Sequence, residues 1–505
     1  MATPQLRSGR CGLESSGGDE SVTRTRMALA LMVVGALLFG VSVVRSRSDD
    51  KSPAAASSDE RPNGRGVPGT GPCGSSPCPA NGDGAAVRGY EVPSVAVDTK
   101  DANHLVVTDN NLVGGRCASH ASFDGGRTWQ DGVFKPPPGY TDCTLDSGGF
   151  LTAGNVAIGP SGTVYFAFAS AGGEGGEKES IVMSTSLDGG RTFTPARVAV
   201  QRRPTDPAFR RPSLSVAPGA AGKDRVLLSF WGCPQEGRRE RCNKAMFAGS
   251  PDGGQSFSPA VESSPPRGGN SPSPAVIGAD GAIYVLFLGR KPPEDTELVL
   301  GRSADGGATF TPTTVGPLPR ADLGGRYDSA KLVLGPKGEL YTVYSHKPAG
   351  AFEVAFRRSQ DNGKTWSEEL RLNKSSSGSY FSPNISVAPN GRIDVIFYQR
   401  SQEDVVPARQ PAGEVGVSDT VLWTSSTDGG ESFGVDRRIN FGDRGIDRRL
   451  GYWEEVGDWY IPGVASSDSA GYFVWSDTRR GDKNNDNQDT FLRRIDFAGS
   501  GRDVE

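Results

Sequence analysis

Six copies of the pattern Ser-x-Asp-Gly/Asn-Gly-x-Thr/Ser-Trp/Phe punctuate the chain, at Ser122–Trp129, Ser186–Phe193, Ser250–Phe257, Ser303–Phe310, Ser359–Trp366 and Ser426–Phe433. Their aspartates (Asp124, Asp188, Asp252, Asp305, Asp361 and Asp428) recur 53 to 67 residues apart. Self-similarity at such a period means stacked copies of one supersecondary unit. The box itself reads as turn chemistry. Its Asp-Gly-Gly or Asp-Asn-Gly step suits positive φ, and the aspartate can accept hydrogen bonds from turn amides and hydroxyls. The Trp or Phe can bury its ring against the sheet. All three roles are structural.

A second element precedes each box: a small residue or proline, an alternating apolar strand, a tight turn and another apolar strand. Seven copies start at Pro93, Gly154, Pro212, Pro272, Ser329, Pro383 and Pro462. Alternation of period two with Gly/Asn turns marks antiparallel hairpins. Each unit therefore reads as four strands, the third ending at the box serine and the fourth beginning at the box aromatic. Four-stranded units repeated radially are propeller blades. The expectation is an all-β propeller of seven blades, with six as the alternative; Val87–Val92 is expected to complete the last blade and close the ring.

Glycine accounts for 69 of 505 residues, about twice the usual roughly 7 %, much of it in hairpin turns. Net charge is −4 with both signs interspersed, so nucleic acid is not an expected partner. Met27–Val44 is an uncharged run of 18 residues flanked by arginines, long enough for a helix to cross a membrane. A cleaved signal peptide is the competing reading. One cysteine, Cys11, precedes the run, and six follow it as the close neighbours Cys73/Cys78, Cys117/Cys143 and Cys233/Cys242. That even set suits disulfides in an oxidising space. The expected organisation is a cytoplasmic tail at 1–26, a transmembrane anchor at 27–44 and a flexible Pro/Gly/Ser-rich stalk at 45–86. An extracytoplasmic, monomeric propeller at 87–498 follows.

The eight-residue pattern resembles the Asp box of bacterial neuraminidase repeats, over about 410 residues, and is similar in particular to the sialidase superfamily. The stretch from Gly457-Asp458-Trp459-Tyr460 through Trp475-Ser476-Asp477-Thr478-Arg479 resembles the end of bacterial proteins labelled exo-α-sialidase. The resemblance implies three arginines clamping a substrate carboxylate, a tyrosine–glutamate nucleophile pair and an acid–base aspartate. The family's first arginine sits in a Phe/Tyr-Arg-Ile-Pro motif. Here the matching residues are Tyr90-Glu91-Val92-Pro93, with an acid in the arginine's place, and arginine recurs only in Phe209-Arg210-Arg211-Pro212.

Strand direction puts the long connections and the boxes on opposite faces, and functional loops gather with the long connections. On that face Arg210, Arg290, Arg400 and Arg479 are candidates for binding an anionic group, with Glu91, Trp453 and Trp459 beside them. Tyr460 with Glu454 is the candidate nucleophile pair and Asp458 the acid–base candidate. These arginines also have a plainer reading, as rim residues paired with neighbouring acids such as Asp477. No metal or other cofactor is expected: the histidines share no ligand spacing, and Asp482-x-Asn484-x-Asp486 lacks the glycine and glutamate of a calcium loop. Two functions stay open. One is a membrane-anchored, extracytoplasmic propeller that acts on glycans, by glycoside hydrolysis if catalytic. The other is a non-catalytic surface propeller binding a glycan or protein.

Overall fold

The computed structural model describes residues 90–111, 116–132, 135–140, 155–171, 179–236, 239–240, 244–263, 273–291, 295–318, 330–348, 351–375, 377–400, 418–440, 446–447, 461–477 and 489–497. All of them fall in the second of two compact units, 52–505. The expected tail, anchor and stalk lie outside the described residues. Among the described residues no helix is long and apolar enough to cross a membrane.

Seven antiparallel sheets follow one another along the chain. Their inner strands are Tyr90–Asp98, Asn155–Ile158, Ala208–Pro218, Val276–Ile277, Lys331–Leu334, Ser379–Val387 and Gly463–Ser466. These strands line one axial cavity of about 340 Å³, so the sheets are blades around a common channel. In blades one to six the third strand ends on the box serine, as at Arg116–Ser122 and Glu179–Ser186. The fourth strand starts later than expected in most blades. In blades five and six it is only Leu370–Arg371 and Arg437–Arg438. The residues in between form the box turn and its exit, which hydrogen-bond locally instead of joining the ladder.

The six boxes share one bonding scheme. Each serine hydroxyl donates to its aspartate Oδ1 at 2.7–2.9 Å and accepts the amide of the glycine two residues after the aspartate at 2.8–2.9 Å. The Thr or Ser hydroxyl donates to aspartate Oδ2 at 2.5–2.6 Å. An ionised carboxylate meeting several donors is strongly favoured over its acid. The Thr309 hydroxyl, then the Thr309 amide, hold Asp305 down at about 2, and Thr365 does the same for Asp361.

The box also does something its sequence does not announce: it docks on the blade before it. A Cβ on the second glycine would meet Val106 of blade one at Gly190, Met183 of blade two at Gly254, Phe247 of blade three at Gly307 and Phe356 of blade five at Gly430. The box aromatics sit in the same seams, Phe193 between blades one and two, Phe310 between three and four, and Phe433 between five and six. Each of the seven seams holds its own apolar cluster. The seam of blades six and seven has no box. There Phe497 packs on the cluster of Trp423, Phe473 and Trp475. Arg392 pairs with the buried Asp394 at 3.0 Å and reaches the Ser467 and Ala470 carbonyls of blade seven.

At the ring closure, the described part of the expected closing strand belongs to blade one. Tyr90 and Glu91 pair with Asn111 and Asn110 inside blade one. The sheet of blade seven has three strands among the described residues, Gly463–Ser466, Ala470–Asp477 and Asp489–Asp496. Val87, Arg88 and Gly89, the first part of the expected closing strand, lie outside the described residues. The ends meet face to face, Val95, Val97, Leu105 and Val107 against Tyr472, Val474 and Leu492. Above that layer His120, opposite Val107, lies with Nδ1 2.8 Å from Asp131 and Nε2 3.5 Å from the fully buried Asp109. Burial opposes the imidazolium, but the Asp109 and Asp131 carboxylates outweigh it and raise His120 to about 9.

The cysteines of the expected disulfide set divide between the described residues and the rest. Cys117, on the third strand of blade one, and Cys233, at the end of the second strand of blade three, are both buried and disulfide-bonded. Their expected partners, Cys143 and Cys242, lie outside the described residues, and so does the whole Cys73/Cys78 pair. None of the three pairings expected from close spacing therefore has both of its cysteines among the described residues.

Two stability experiments follow from these contacts. A carboxyl whose folded pKa is depressed stabilises above its unfolded value and loses that contribution as pH falls; a raised histidine contributes fully below its unfolded value and loses it as pH rises. The melting temperature should therefore fall as pH drops from 3.8 toward 2 and fall again as pH rises from 6.5 through about 9. His120→Gln should keep the acid limb and lose the part of the alkaline limb that belongs to this pair. An unchanged alkaline limb would show that the pair contributes nothing. For closure, Gly126 has φ +94°, and a Cβ there would sit 2.9 Å from Leu492 of blade seven. Gly126→Ala should cost about 1–3 kcal/mol in urea unfolding. Gly249→Ala, where a Cβ meets nothing, should stay within about 1 kcal/mol of wild type.

Candidate functional site at the channel mouth

The face carrying the long connections is built from the starts of inner strands and the ends of second strands. Three inner strands are irregular there. Register shifts fall between Glu91 and Ser94 and between Phe381 and Asn384, and opposite the blade-three strand between Ser229 and Trp231. Each spans a residue–proline step: Val92-Pro93, Ser382-Pro383 and Arg211-Pro212. Proline cannot donate to the ladder, so the strand bulges. Arg211 and Ser382 take φ of 50° and 49°, a left-handed conformation costing about 1–3 kcal/mol for such residues.

In blade three the bulge decides which arginine meets the channel. Arg210 is buried, with Nη1 donating to the Phe209 carbonyl at 3.1 Å. Arg211 lines the cavity, its guanidinium 4.8 Å from the Trp231 ring centre. Sequence reasoning placed Arg210 at the mouth by counting back from the proline, and the bulge changes the side on which the next residue emerges. The usable signal was the double arginine before proline, which leaves both residues as candidates.

In blade six Arg400 is a held cation. Its Nε and Nη2 donate to the two oxygens of Asp419 at 3.1 and 3.2 Å, a two-point match that fixes the guanidinium plane. The Phe381 ring centre lies 4.8 Å away. Asp419 is fully buried, while Arg400 keeps 24 % of its side chain exposed. The expectation of an arginine paired with an acid is met here by Asp419, and Asp477 accepts from the Trp475 indole at 2.9 Å. Tyr398 lies fully buried in the same seam. Burial first, then Asp419 and Asp477, push its phenol far above the usual range.

The remaining sequence candidates divide simply. Glu91 stands opposite Asn110 in blade one and Arg290 opposite Thr296 in blade four. Trp453, Glu454, Asp458, Trp459, Tyr460 and Arg479 lie outside the described residues. Arg210 belongs to the inner strand of blade three and Arg400 to the second strand of blade six. Among the described residues no group of three or more His, Cys, Asp or Glu is placed to hold a metal.

A tyrosine–glutamate pair that sequence reasoning missed occurs in blade five. Tyr344 Oη donates to Glu369 Oε2 at 2.6 Å and accepts from Arg357 Nε at 2.9 Å, with His346 Nε2 3.2 Å from Glu369 Oε1. Its composition suits catalysis, but its setting does not. Tyr344 is fully buried in the seam with blade four, and burial, then Glu369, push its phenol far up. The group braces the blade.

The family model described as a BNR repeat-like domain matches residues 150–395, which include blades two to five entire. No curated protein matches the chain. Solved structures similar to it include a protein of unknown function from Dyadobacter fermentans, at 15 % identity over 72 % of this chain and 100 % of that one, with a TM-score of 0.44. The Hadza microbial sialidase Hz136 follows at 13 % identity over 78 % and 73 %, with a TM-score of 0.41. A polysaccharide lyase, the PL25 ulvan lyase, is similar at 11 % identity over 80 % and 94 %, with a TM-score of 0.46. None of these likenesses carries a residue role. With six boxes in seven blades, the chain folds as a seven-bladed β-propeller whose residues 150–395 match the BNR repeat-like domain.

Proposed function

We propose that this propeller acts on glycans at the mouth of its channel, by glycoside hydrolysis, from an extracytoplasmic position held by the Met27–Val44 anchor. The observation that carries the reading is Arg400, held in one plane by the buried Asp419 and stacked beside Phe381. A guanidinium fixed in this way meets an anionic or hydroxyl group of a sugar without first losing its own freedom. Arg211 on Trp231 supplies a second cation–aromatic unit on the same face. Tyr460 with Glu454 as nucleophile pair and Asp458 as proton donor remain the proposed chemistry, on the long connection leading into blade seven. The anchor and compartment rest on the apolar run and on the distribution of the cysteines about it. The local pairings Cys73–Cys78, Cys117–Cys143 and Cys233–Cys242 belong to the same proposal.

The second reading, a surface propeller that binds a glycan or protein without turnover, is favoured by one specific feature. Glu91 occupies the position of the family's first arginine, and Arg210, the nearest textual substitute, is buried. A carboxylate there repels an acidic sugar. Neutral or differently charged sugars therefore belong in any substrate panel.

The full chain should be assayed against fluorogenic sialosides and a wider set of glycosides. Turnover is expected, with Glu454→Gln and Tyr460→Phe each lowering it by about 10²-fold or more. Arg400→Gln should mainly raise KM. Binding on a glycan array without turnover of any glycoside would overturn hydrolysis and leave the binding module standing.

A further inference from the structure

The ion pair at the end of blade six does more than hold Arg400 still. Arg400 closes the second strand, Ile393–Arg400, and Asp419 stands opposite it near the start of the third, Ser418–Ser426. Cross-strand pairing therefore sets the two side by side, and the guanidinium Nε and Nη2 donate to the two carboxylate oxygens at 3.1 and 3.2 Å. The pair is layered. The Asp419 side chain is wholly buried, while that of Arg400 is partly in solvent. A ligand at the mouth meets the guanidinium first and has the carboxylate behind it.

The layer behind is itself held. Asn440 donates from Nδ2 to the Asp419 carbonyl at 3.3 Å and accepts the Val421 amide at 2.9 Å. Phe381, beside the guanidinium, stacks on Tyr398 with ring centres 5.6 Å apart. The carboxylate is thus built into the sheet and is not a mobile counter-ion. Its field also reaches past Arg400, since Asp419 joins burial and Asp477 in raising the Tyr398 phenol.

Charge at such a pair is read by distance. An anion about 4 Å from the guanidinium and about 7 Å from the carboxylate behind it loses roughly half the attraction of a lone guanidinium, because Coulomb energy falls as the inverse of separation. It still has to give up its water to enter. A neutral hydroxyl loses much less. It takes a hydrogen bond from the guanidinium, and that bond depends on where the donor points. Asp419 fixes that direction.

We infer that Asp419 is a positioning and specificity-determining residue of the mouth, which makes Arg400 a reader of neutral sugar hydroxyls and turns acidic sugars away. The inference rests on the reading of the mouth as a glycan site, and it names the substrate class of that site.

The test uses the full chain and a panel of matched fluorogenic glycosides, each sugar beside its uronic acid, such as a glucoside with a glucuronide and a galactoside with a galacturonide. For the pairs that are turned over, kcat/KM should favour the neutral member by about tenfold or more. Asp419→Asn should move that ratio toward the acidic member by about tenfold or more, chiefly through KM. The shift should shrink as salt is raised. Asp419→Glu, which keeps the charge, should keep the wild-type order. A merely structural loss would lower both members together and leave the ratio where it was. Preference of the wild type for the acidic member, or an unchanged ratio in Asp419→Asn, would overturn the inference. The wild-type comparison decides alone if the variant does not fold. If the mouth binds without turnover, the same pairs on a glycan array give the ratio from retention. Failure of the glycan reading itself looks different: neither member of any pair is then bound or turned over, and the inference falls with it.

Discussion

Each blade is held by the apolar seam it shares with its neighbour, and the rest of the structure depends on those seams. A four-stranded sheet has two apolar faces and cannot bury either alone. Seven seams bury them in turn, with fully buried side chains such as Phe166, Phe287 and Trp475 at their centres. Burying one such side chain contributes about 1.5–3 kcal/mol, so a single seam outweighs any one polar contact on the rim. The box turn is the local device that sets seam geometry. Its second glycine lets the backbone approach the preceding blade, and its aromatic fills the space beside that approach.

The two irregular seams show what the box otherwise supplies. Blade seven carries no box, so the seam with blade six uses Phe497 and the Arg392–Asp394 pair in place of a box turn. Desolvating an ion pair is costly unless its remaining donors are met. Arg392 meets that demand through the blade-seven carbonyls. The closing seam does have a box, that of blade one, whose Gly126 faces Leu492 across the junction. Face-to-face packing joins the two ends of the propeller there.

Much of this was legible in the residues. The serine at the end of each third strand, the seven inner hairpins and the structural role of the box aspartates all follow from patterns of period two and from turn chemistry. The site was much less legible. Arg210 and Arg211 are adjacent in sequence, and only the bulge before Pro212 sends one into the blade and the other to the cavity wall. Arg400 could be named from its position after a strand, but not its partner. Asp419 lies 19 residues away and meets it only because second and third strands pair in register. The brace of Tyr344, Arg357 and Glu369 was invisible for the same reason.

The sequence by itself determined the repeating unit, the number of blades and the face on which the boxes lie, because these depend on local turn chemistry and on alternation within single strands. The tertiary structure alone decided how the ring closes and which arginine reaches the channel. Those features depend on residues from different blades meeting across seams and around an axis. Such meetings are fixed by packing and strand register, and spacing along the chain leaves no trace of them.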